Sequence, residues 1–267
     1  MIYRGEKNIL GILIDAVDYE ATVDAVMEAA HKRRGFAVSA LAVHGVMTGA
    51  LHGEQKYRLN HFDFLVPDGQ PVRWALNLLH GTSLREPVRG TKLMLTVCER
   101  AAQEGVAIYL YGSTEEVLLA LRYNLRGMFR ELRIVGVEAS KFRRLSRQER
   151  DDVEMRIRNS GASIVFVGLG CPRQETWAYE FREVLSMPIL AVGAAFPYLA
   201  GRIPEAPLWM QDRGLEWFYR LCTEPRRLWH RYLFLNPAYV FLVALQAIGL
   251  SRFATDGRNS SREYLPG

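Results

Sequence analysis

An aspartate, Asp68, stands between an apolar run that ends at Val66 and a helix-compatible segment that begins at Gln70. Open α/β sheets bind ligands at the carboxyl ends of their strands, so a carboxylate at this place can act as a general base. Burial beside the strand would raise its pKa, whereas a helix N-terminus would lower it. The alternative is that Asp68 only caps the following helix. The residues alone leave both interpretations open.

A glycine turn, residues 168–175 with the sequence GLGCPRQE, follows another strongly apolar run. The glycines permit close backbone approach, and exposed N–H groups at such a turn can hold a pyrophosphate. The spacing is not GxGxxG, and the chain contains no GxxxxGK[ST] motif, so two common nucleotide-binding fingerprints are absent. Gly168 and Gly170 are candidate binding residues, and a purely structural connection is the alternative.

Two further loops at predicted strand ends and one loop before a predicted helix carry weaker candidates. His44 can orient a hydroxyl or shuttle a proton, although a lone histidine is more often a hydrogen-bonded structural residue. Gly112 follows the strand predicted at 107–111. The loop formed by Arg89, Gly90 and Thr91 precedes a predicted helix and can add positive charge to a phosphate site, with a solvated loop as the alternative.

Metal chemistry has little support in the sequence. It contains no DxD motif and no cluster of His, Cys and carboxylates at ligand spacing, so we expect neither a metal nor a cofactor. If a diphosphate leaves during the reaction, arginines and helix N-termini would have to stabilise its charge. The C-terminal part supplies four candidates on a broad helical face that suits phosphates or anionic lipid headgroups, with a solvated face as the alternative. They are Arg220, Arg226, Arg227 and Arg231.

Short apolar runs alternate with segments of helical periodicity up to about residue 192, which predicts an α/β fold with a mostly parallel sheet flanked by helices. Helix starts are indicated by Asp18 and by two S-x-x-E capping boxes, Ser113 with Glu116 and Ser146 with Glu149. The predicted strands are 9–14, 37–43, 62–66, 107–111, 133–137, 163–167 and 189–192.

The 267 residues and 49 % hydrophobic content suit a sizeable core. After residue 200 the strand pattern stops and the chain becomes helical, aromatic and arginine-rich. We therefore predict an α/β core at 1–200, a helical appendage at 201–252 and a disordered polar tail at 253–267. The run 232–250 has no formal charge but is interrupted by Asn236 and Pro237, so lying on a membrane is favoured over crossing it. A core or dimer-interface helix pair is the alternative.

The formal charge of +5 is compatible with a phosphorylated substrate, an anionic membrane or nucleic acid. Nucleic acid is disfavoured because the basic residues lie beside long apolar stretches. The three cysteines form no CxxC pair, and residues 1–13 lack the features of a signal peptide. These observations predict a cytoplasmic protein with reduced thiols.

Several short motifs occur in a specific order and together cover the chain to about residue 240. They are Pro67-Asp68-Gly69, Arg89-Gly90-Thr91, Gly168-x-Gly-x-Pro-x-Gln174-Glu175, Phe196-x-x-Leu-Ala-Gly201, Ala206-Pro207-x-Trp209-Met210-Gln211, Gly214-Leu215-Glu216-Trp217, Glu224-Pro225-Arg226-Arg227-Leu228 and Arg231-Tyr232. In this respect the sequence resembles the WecG/TagA/CpsF family of glycosyltransferases.

The resemblance implies a Rossmann-like core and an inverting, metal-independent transfer of a hexose or N-acetylhexosamine. The implied donor is a UDP-sugar, and the implied acceptor is a sugar on polyprenyl diphosphate, as in exopolysaccharide or other cell-surface glycan synthesis. It further implies peripheral attachment to the inner face of the cytoplasmic membrane through the appendage, with homo-oligomers possible. By position, Asp68 matches the proposed base, Gln174 a pocket residue, and Arg226, Arg227 and Arg231 the basic segment of the appendage.

The sequence also departs from the family pattern. Ala40 and Ala42 stand where many members have Thr and Asn, and His44 follows them as in some exopolysaccharide members. Pro197 replaces an aspartate, and Lys92 replaces a frequent acidic residue. These changes bear on the identity of donor and acceptor. The alternative function is a non-catalytic component of a polysaccharide assembly complex that binds sugar nucleotides or lipids.

Overall fold

A central sheet of parallel strands organises the protein. The computed structural model describes residues 1–259 and 263–267, with the backbone only for Arg227, His230 and Arg231. The strands are β1 (Tyr3–Ile9), β2 (Ile12–Val17), β3 (Phe36–Leu41), β4 (Phe64–Pro67), β5 (Ala107–Gly112), β6 (Arg133–Glu138), β7 (Ile164–Gly168) and β8 (Pro188–Ala191). The last six form one sheet in the order β4-β3-β8-β7-β5-β6, and every neighbouring pair is parallel. The predicted α/β fold with a mostly parallel sheet is confirmed.

The first predicted strand was wrong in extent. Where the sequence predicts one strand at 9–14, the structure has the antiparallel hairpin β1–β2, which turns at Leu10 and Gly11. Gly11 has φ +87° and allows the turn at low cost. The run stays apolar through the turn, because Ile9, Leu10 and Ile12 are all buried. Hydrophobicity alone therefore did not reveal the break.

Helices cover both faces of the sheet. They are α1 (Tyr19–His31), α2 (Val43–Leu51), α3 (Gly53–Leu59), α4 (Gln70–His80), α5 (Gly90–Gln103), α6 (Glu115–Met128), α7 (Arg147–Asn159), α8 (Arg173–Phe181), α9 (Ala195–Leu199), α10 (Leu208–Asp212), α11 (Glu216–Thr223), α12 (Pro225–His230) and α13 (Asn236–Ala247). One apolar core lies against α1, α5, α6 and α9, and the other lies against α2, α3, α4, α7, α8 and α13. Side chains alternate along each strand, so each strand of the six-stranded sheet contributes to both cores.

Helix caps agree with the sequence at two of three places. Asp18 accepts a hydrogen bond from the N–H of Ala21 at 3.0 Å, and Ser146 forms the predicted reciprocal capping box. The predicted cap at Ser113 is wrong. Ser113 has φ +60° in the turn after β5, and Thr114 caps α6 by accepting from the N–H of Val117. Helix α6 therefore begins one residue later than the S-x-x-E motif predicts, because Ser113 is still part of the turn after β5.

The C-terminal part contains α10 to α13 and a short π-helical segment, Arg231–Leu235, immediately before α13. Within the described ranges, no helix is long and apolar enough to cross a membrane. For the tail the sequence predicts disorder, whereas the structure places residues 263–267 on the core. The N–H of Leu145 donates to Leu265 O at 2.7 Å, and Ser140 Oγ donates to Gly267 O at 2.6 Å. These contacts use backbone atoms, which composition and periodicity do not reveal.

Candidate active site

Asp68 lies at the carboxyl end of β4, in the wall of a cavity of about 470 Å³ between the sheet and the C-terminal helices. Its own N–H donates to Leu41 O at 3.2 Å, which ties it to the end of β3. Gly69, with φ +83°, turns the chain and occupies the N-cap position of α4. The side chain of Asp68 is therefore not the cap of α4, and it is turned toward the start of α5 instead.

The surroundings of Asp68 raise its pKa to about 7, with burial as the main cause. The charge of Glu216 raises the pKa further. Arg89, Arg220 and a hydrogen bond from the N–H of Gly90 lower it. A carboxylate with this pKa is well matched to take up a proton near neutral pH. The question that the sequence left open, whether burial or the helix N-terminus dominates, is thus settled in favour of burial.

Arg89, in the cavity wall, is hydrogen-bonded to α1 and to α10. Its backbone N–H donates to the hydroxyl of Tyr19 in α1 at 2.7 Å, and its side-chain Nη1 donates to Gln211 Oε1 in α10 at 2.5 Å. Its Nε is buried and has no hydrogen-bond partner among the described residues. A buried guanidinium donor without a partner is unusual in proteins and suits an anionic ligand.

Arg220, from α11, brings a second guanidinium to the same cavity. It lies 5.8 Å from the centre of the Tyr198 ring and 4.0 Å from Glu224 Oε2. Its Nε, too, is buried without a hydrogen-bond partner in the part of the chain that the structure describes. Two guanidinium groups with unused donors therefore border one cavity. This arrangement can bind a diphosphate.

Two more carboxylates, Glu205 and Glu216, line the cavity with Asp68. Burial and the charge of Glu216 raise the pKa of Glu205, while a hydrogen bond from Thr91 opposes the shift. Among the described residues, no three His, Cys, Asp or Glu side chains lie close enough to hold a metal ion. The cavity thus combines an acceptor of protons with donors for phosphate.

A protein-family model for the glycosyl transferase WecG/TagA/CpsF family matches residues 7–253. The chain belongs to the WecG/TagA/CpsF glycosyltransferase family. The matched range includes the sheet, the Asp68 cavity and the helices that carry Gln211 and Arg220. The family acts in cell-surface polysaccharide synthesis.

Several predicted site residues of this WecG/TagA/CpsF protein line the cavity, and others do not. Besides Asp68 and Arg220, the structure brings in Arg89, Gly90 and Thr91 at the start of α5. His44 lies in the first turn of α2 and is not part of the described cavity wall. Arg226 is exposed on α12 and lies outside the wall as well. The predicted side chains of Arg227 and Arg231 lie outside the described residues, and their roles stay predictions.

The predicted glycines serve close packing between neighbouring strand ends. A Cβ on Gly112 would lie 2.8 Å from Gly168 C, and a Cβ on Gly168 would lie 2.5 Å from the Phe196 ring. Gly170 adopts φ +77° in the turn that follows β7. Within the described part of the chain, none of the three belongs to the wall of the Asp68 cavity. Their binding role stays a prediction.

Gln174 holds the glycine turn of this family member in place. Its Oε1 accepts from the N–H of Gly170 at 3.2 Å, and its Nε2 donates to Glu175 Oε1 at 2.8 Å. Ser39 Oγ in β3 donates to the same carboxylate oxygen at 3.1 Å. Gln174 and Glu175 are both buried, so this network links the ends of β3 and β7 beneath the surface.

Sequence reasoning missed the roles of Gln211, Glu205 and Glu216 in the site. Gln211 and Glu216 stand in the motifs that carried the family resemblance, but no role was assigned to them. The motif order was the available signal for these two residues. Glu205 stands outside those motifs, and only the folding of the appendage over α5 brings it to Thr91.

Proposed function

We propose that this protein is an inverting glycosyltransferase that moves a hexose or N-acetylhexosamine from a UDP-sugar to a sugar on polyprenyl diphosphate. The observation that carries the proposal is the position of Asp68. Its carboxyl group borders a cavity, has a pKa of about 7 and interacts electrostatically with Arg89 and Arg220. This combination suits a base that works beside an anionic leaving group.

In the proposed reaction, Asp68 removes the proton from an acceptor hydroxyl while that oxygen attacks the anomeric carbon of the donor. The bond from the anomeric carbon to the β-phosphate oxygen breaks, and its electron pair leaves with UDP. Attack from the opposite face inverts the anomeric centre. A single displacement of this kind needs one base and no covalent intermediate on the protein.

We further propose that Arg89 and Arg220 offset the charge that develops on the leaving diphosphate, so that the transfer is independent of metal. Both line the cavity, and each has a buried Nε without a described partner. A well-placed donor at a developing oxyanion is worth ~3 to 4 kcal/mol by analogy with other enzymes. Two such donors are a substantial part of the acceleration that a transferase requires.

The appendage supports a peripheral location on the inner face of the cytoplasmic membrane. Trp209, Phe218, Leu233 and Phe241 are exposed on the helices that follow residue 207. Exposed aromatic and aliphatic side chains beside arginines suit insertion among anionic lipid headgroups. Because Arg220 belongs to the same group of helices, docking at the bilayer would place the cavity next to a lipid-linked acceptor.

The decisive experiment replaces Asp68 with Asn and measures sugar transfer from UDP-sugars to a synthetic prenyl-diphosphate-linked acceptor. We expect kcat to fall by about 10² to 10⁴, the usual contribution of a general base. The matched control is Asp212→Asn, an exposed aspartate at the end of α10, which should keep its activity. Wild-type turnover by folded Asp68→Asn would refute the proposed base. UDP binding by the wild-type protein without turnover on any acceptor would favour the non-catalytic alternative.

A further inference from the structure

A second and larger cavity, of about 1060 Å³, lies on the other side of the protein from α5 and α6. Its walls come from the junction of α2 and α3, the loop 142–144, the first turn of α8 and the C-terminal residues. It shares no described lining residue with the Asp68 cavity. The charged side chains in the wall are Arg58, Arg143, Arg144, Arg173, Arg258 and Glu54.

The wall is strongly positive, because five arginines face a single carboxylate. That carboxylate is already engaged, since Glu54 Oε2 accepts from the Tyr264 hydroxyl at 2.6 Å and lies 3.6 Å from Arg58 Nη2. The guanidinium of Arg58 also lies 4.6 Å from the centre of the Tyr264 ring. Glu54 therefore cannot compensate all five arginines, and Arg143 finds its carboxylate partner, Glu149, outside the wall.

Arg144 and Arg258 are not neutralised by a carboxylate, and Arg173 donates to Gly267 O. Arg144 donates from Nη2 to the carbonyl oxygen of Glu263 at 2.8 Å and has no ion pair among the described residues. The side chain of Arg258 has neither an ion pair nor a hydrogen bond within the same ranges. Arg143 differs, because it pairs with Glu149 at 2.5 Å. The two unpaired guanidinium groups come from segments far apart in sequence, so the fold has brought like charges together at one cavity.

A buried amide in the same wall also lacks a partner. Gln55 is 6 % exposed, and its Nε2 has no hydrogen-bond partner in the described part of the chain. Its Oε1 accepts from Thr176 Oγ1 at 3.4 Å, which fixes the side chain at the first turn of α8. An unsatisfied buried donor calls for an explanation, and an anionic ligand in the cavity supplies one. The N-terminus of α8 adds a favourable dipole for negative charge.

We propose that this cavity is a second ligand site, which binds a small molecule carrying a diphosphate, with Arg144 and Arg258 as the main phosphate contacts. Repulsion between unpaired guanidinium groups is relieved when they share a multiply charged anion, and their planar donors match phosphate oxygens. Phe142 and Tyr264 line the same cavity and offer ring surfaces for a base or sugar attached to the diphosphate. The proposal concerns binding and does not depend on the transfer reaction proposed above.

The test is a calorimetric titration of the full chain with inorganic pyrophosphate, and with ADP as a second probe. We expect two binding events for pyrophosphate. One should weaken at least tenfold in the double variant Arg144→Ala with Arg258→Ala, and the other should weaken in Arg89→Ala. The matched control is Arg130→Ala, an exposed arginine outside both cavities, which should titrate like the wild-type protein. A double variant that titrates like the wild-type protein would overturn the proposal.

Because Arg144 also contacts the backbone of Glu263, Arg258→Ala is measured alone, with thermal unfolding recorded for every variant. A loss of affinity of at least threefold at unchanged unfolding temperature supports a direct contact. Equal losses in Arg258→Ala and Arg130→Ala would show unspecific screening of charge and refute the site. ADP that binds this cavity more tightly than pyrophosphate would assign the ligand to the nucleotides, and equal affinities would assign it to the diphosphate alone. Asp68→Asn should leave this site intact, so its result separates the two proposals.

Discussion

The guanidinium of Arg89 donates to the amide oxygen of Gln211 at 2.5 Å, and Gln211 in turn donates to Ala206 O at 2.6 Å. Arg89 precedes α5 in the core of the protein, whereas Gln211 belongs to α10 in the appendage. One buried amide thus joins the two parts at the wall of the Asp68 cavity. The appendage is therefore part of the construction of the site.

We expect Gln211→Leu to lower transfer activity and stability together. The change removes both hydrogen bonds and leaves the partly buried guanidinium of Arg89 with less compensation, at a cost of roughly 1 to 3 kcal/mol in the free energy of unfolding. Arg89 should also lose its fixed orientation, so kcat/KM should fall about tenfold or more. Chemical denaturation and initial rates measure the two effects. Gln148→Leu, at an exposed position on α7, is the control, and equal behaviour of both variants would contradict the bridging role.

The pH dependence should report the titration of Asp68. Because its pKa is raised to about 7, kcat/KM should fall as the pH decreases below about 7. The charge of Glu216 is one cause of the raised pKa, so Glu216→Gln should stabilise the ionised form of Asp68 and move the acidic limb to lower pH. Rate profiles between pH 5 and 9 check this. Glu99→Gln, at an exposed position on α5, should leave the limb in place. An unmoved limb in Glu216→Gln would exclude Asp68 as the titrating group.

The same carboxyl group should reduce the stability of the protein at neutral pH. The pKa of Asp68 is higher in the folded protein than its usual value of 3.8, so the neutral form is favoured by folding. Its contribution to stability is fully present below pH 4 and is lost as the pH rises through 7. Asp68→Asn should thus be more stable than the wild-type protein at pH 8, by on the order of 4 kcal/mol, and nearly equal to it at pH 4. Denaturation curves at both values test this, and a less stable variant at pH 8 would disagree with it.

Substitutions can distinguish the roles of Arg220 and Arg226, two arginines of the appendage. Arg220 lines the cavity, whereas Arg226 is exposed on α12 outside its wall. With a short-chain acceptor that needs no membrane, Arg220→Ala should lower kcat by about 10² to 10³, because a donor to the leaving diphosphate is lost. Arg226→Ala should change kcat less than about threefold. If Arg226→Ala were the more damaging change, the appendage would have to close further over the cavity than it does here.

The sheet was predictable because its strands are buried on both faces and are bounded by clear turns. The predicted strand 107–111 corresponds to β5, and 163–167 corresponds to β7 with a shift of one residue. Asp68 was predictable as a candidate for the same reason, since it follows a buried strand directly. Of the residues that modify its pKa, Arg220 was also a candidate from the sequence, whereas Glu216 was not. Glu216 lies about 150 residues from Asp68 in sequence, and no local pattern shows that it returns to β4.

The hydrogen bonding of the glycine turn was also beyond the sequence. The motif predicted exposed N–H groups for a phosphate, but the N–H of Gly170 donates to the side chain of Gln174. Gln174 is itself held by Glu175, whose partner Ser39 comes from a different strand. A residue that is four positions away in sequence thus occupies a donor that the motif left open. Only the packing of the strand ends reveals that Gln174 accepts this hydrogen bond.

Membrane binding by the appendage should depend on its exposed apolar side chains. Leu233 and Phe241 are both more than half exposed, and burying each in the interface should contribute about 1.5 to 3 kcal/mol. The double variant Leu233→Ser with Phe241→Ser should therefore sediment with vesicles of anionic lipids at least tenfold less than the wild-type protein. Its activity on the short-chain acceptor should be kept, because neither residue lines the described cavity wall. Tyr123→Ser is the control, since Tyr123 is even more exposed than either residue but lies on α6 in the core domain. Full sedimentation of the double variant would show that charge alone, or another surface, attaches the protein to lipid.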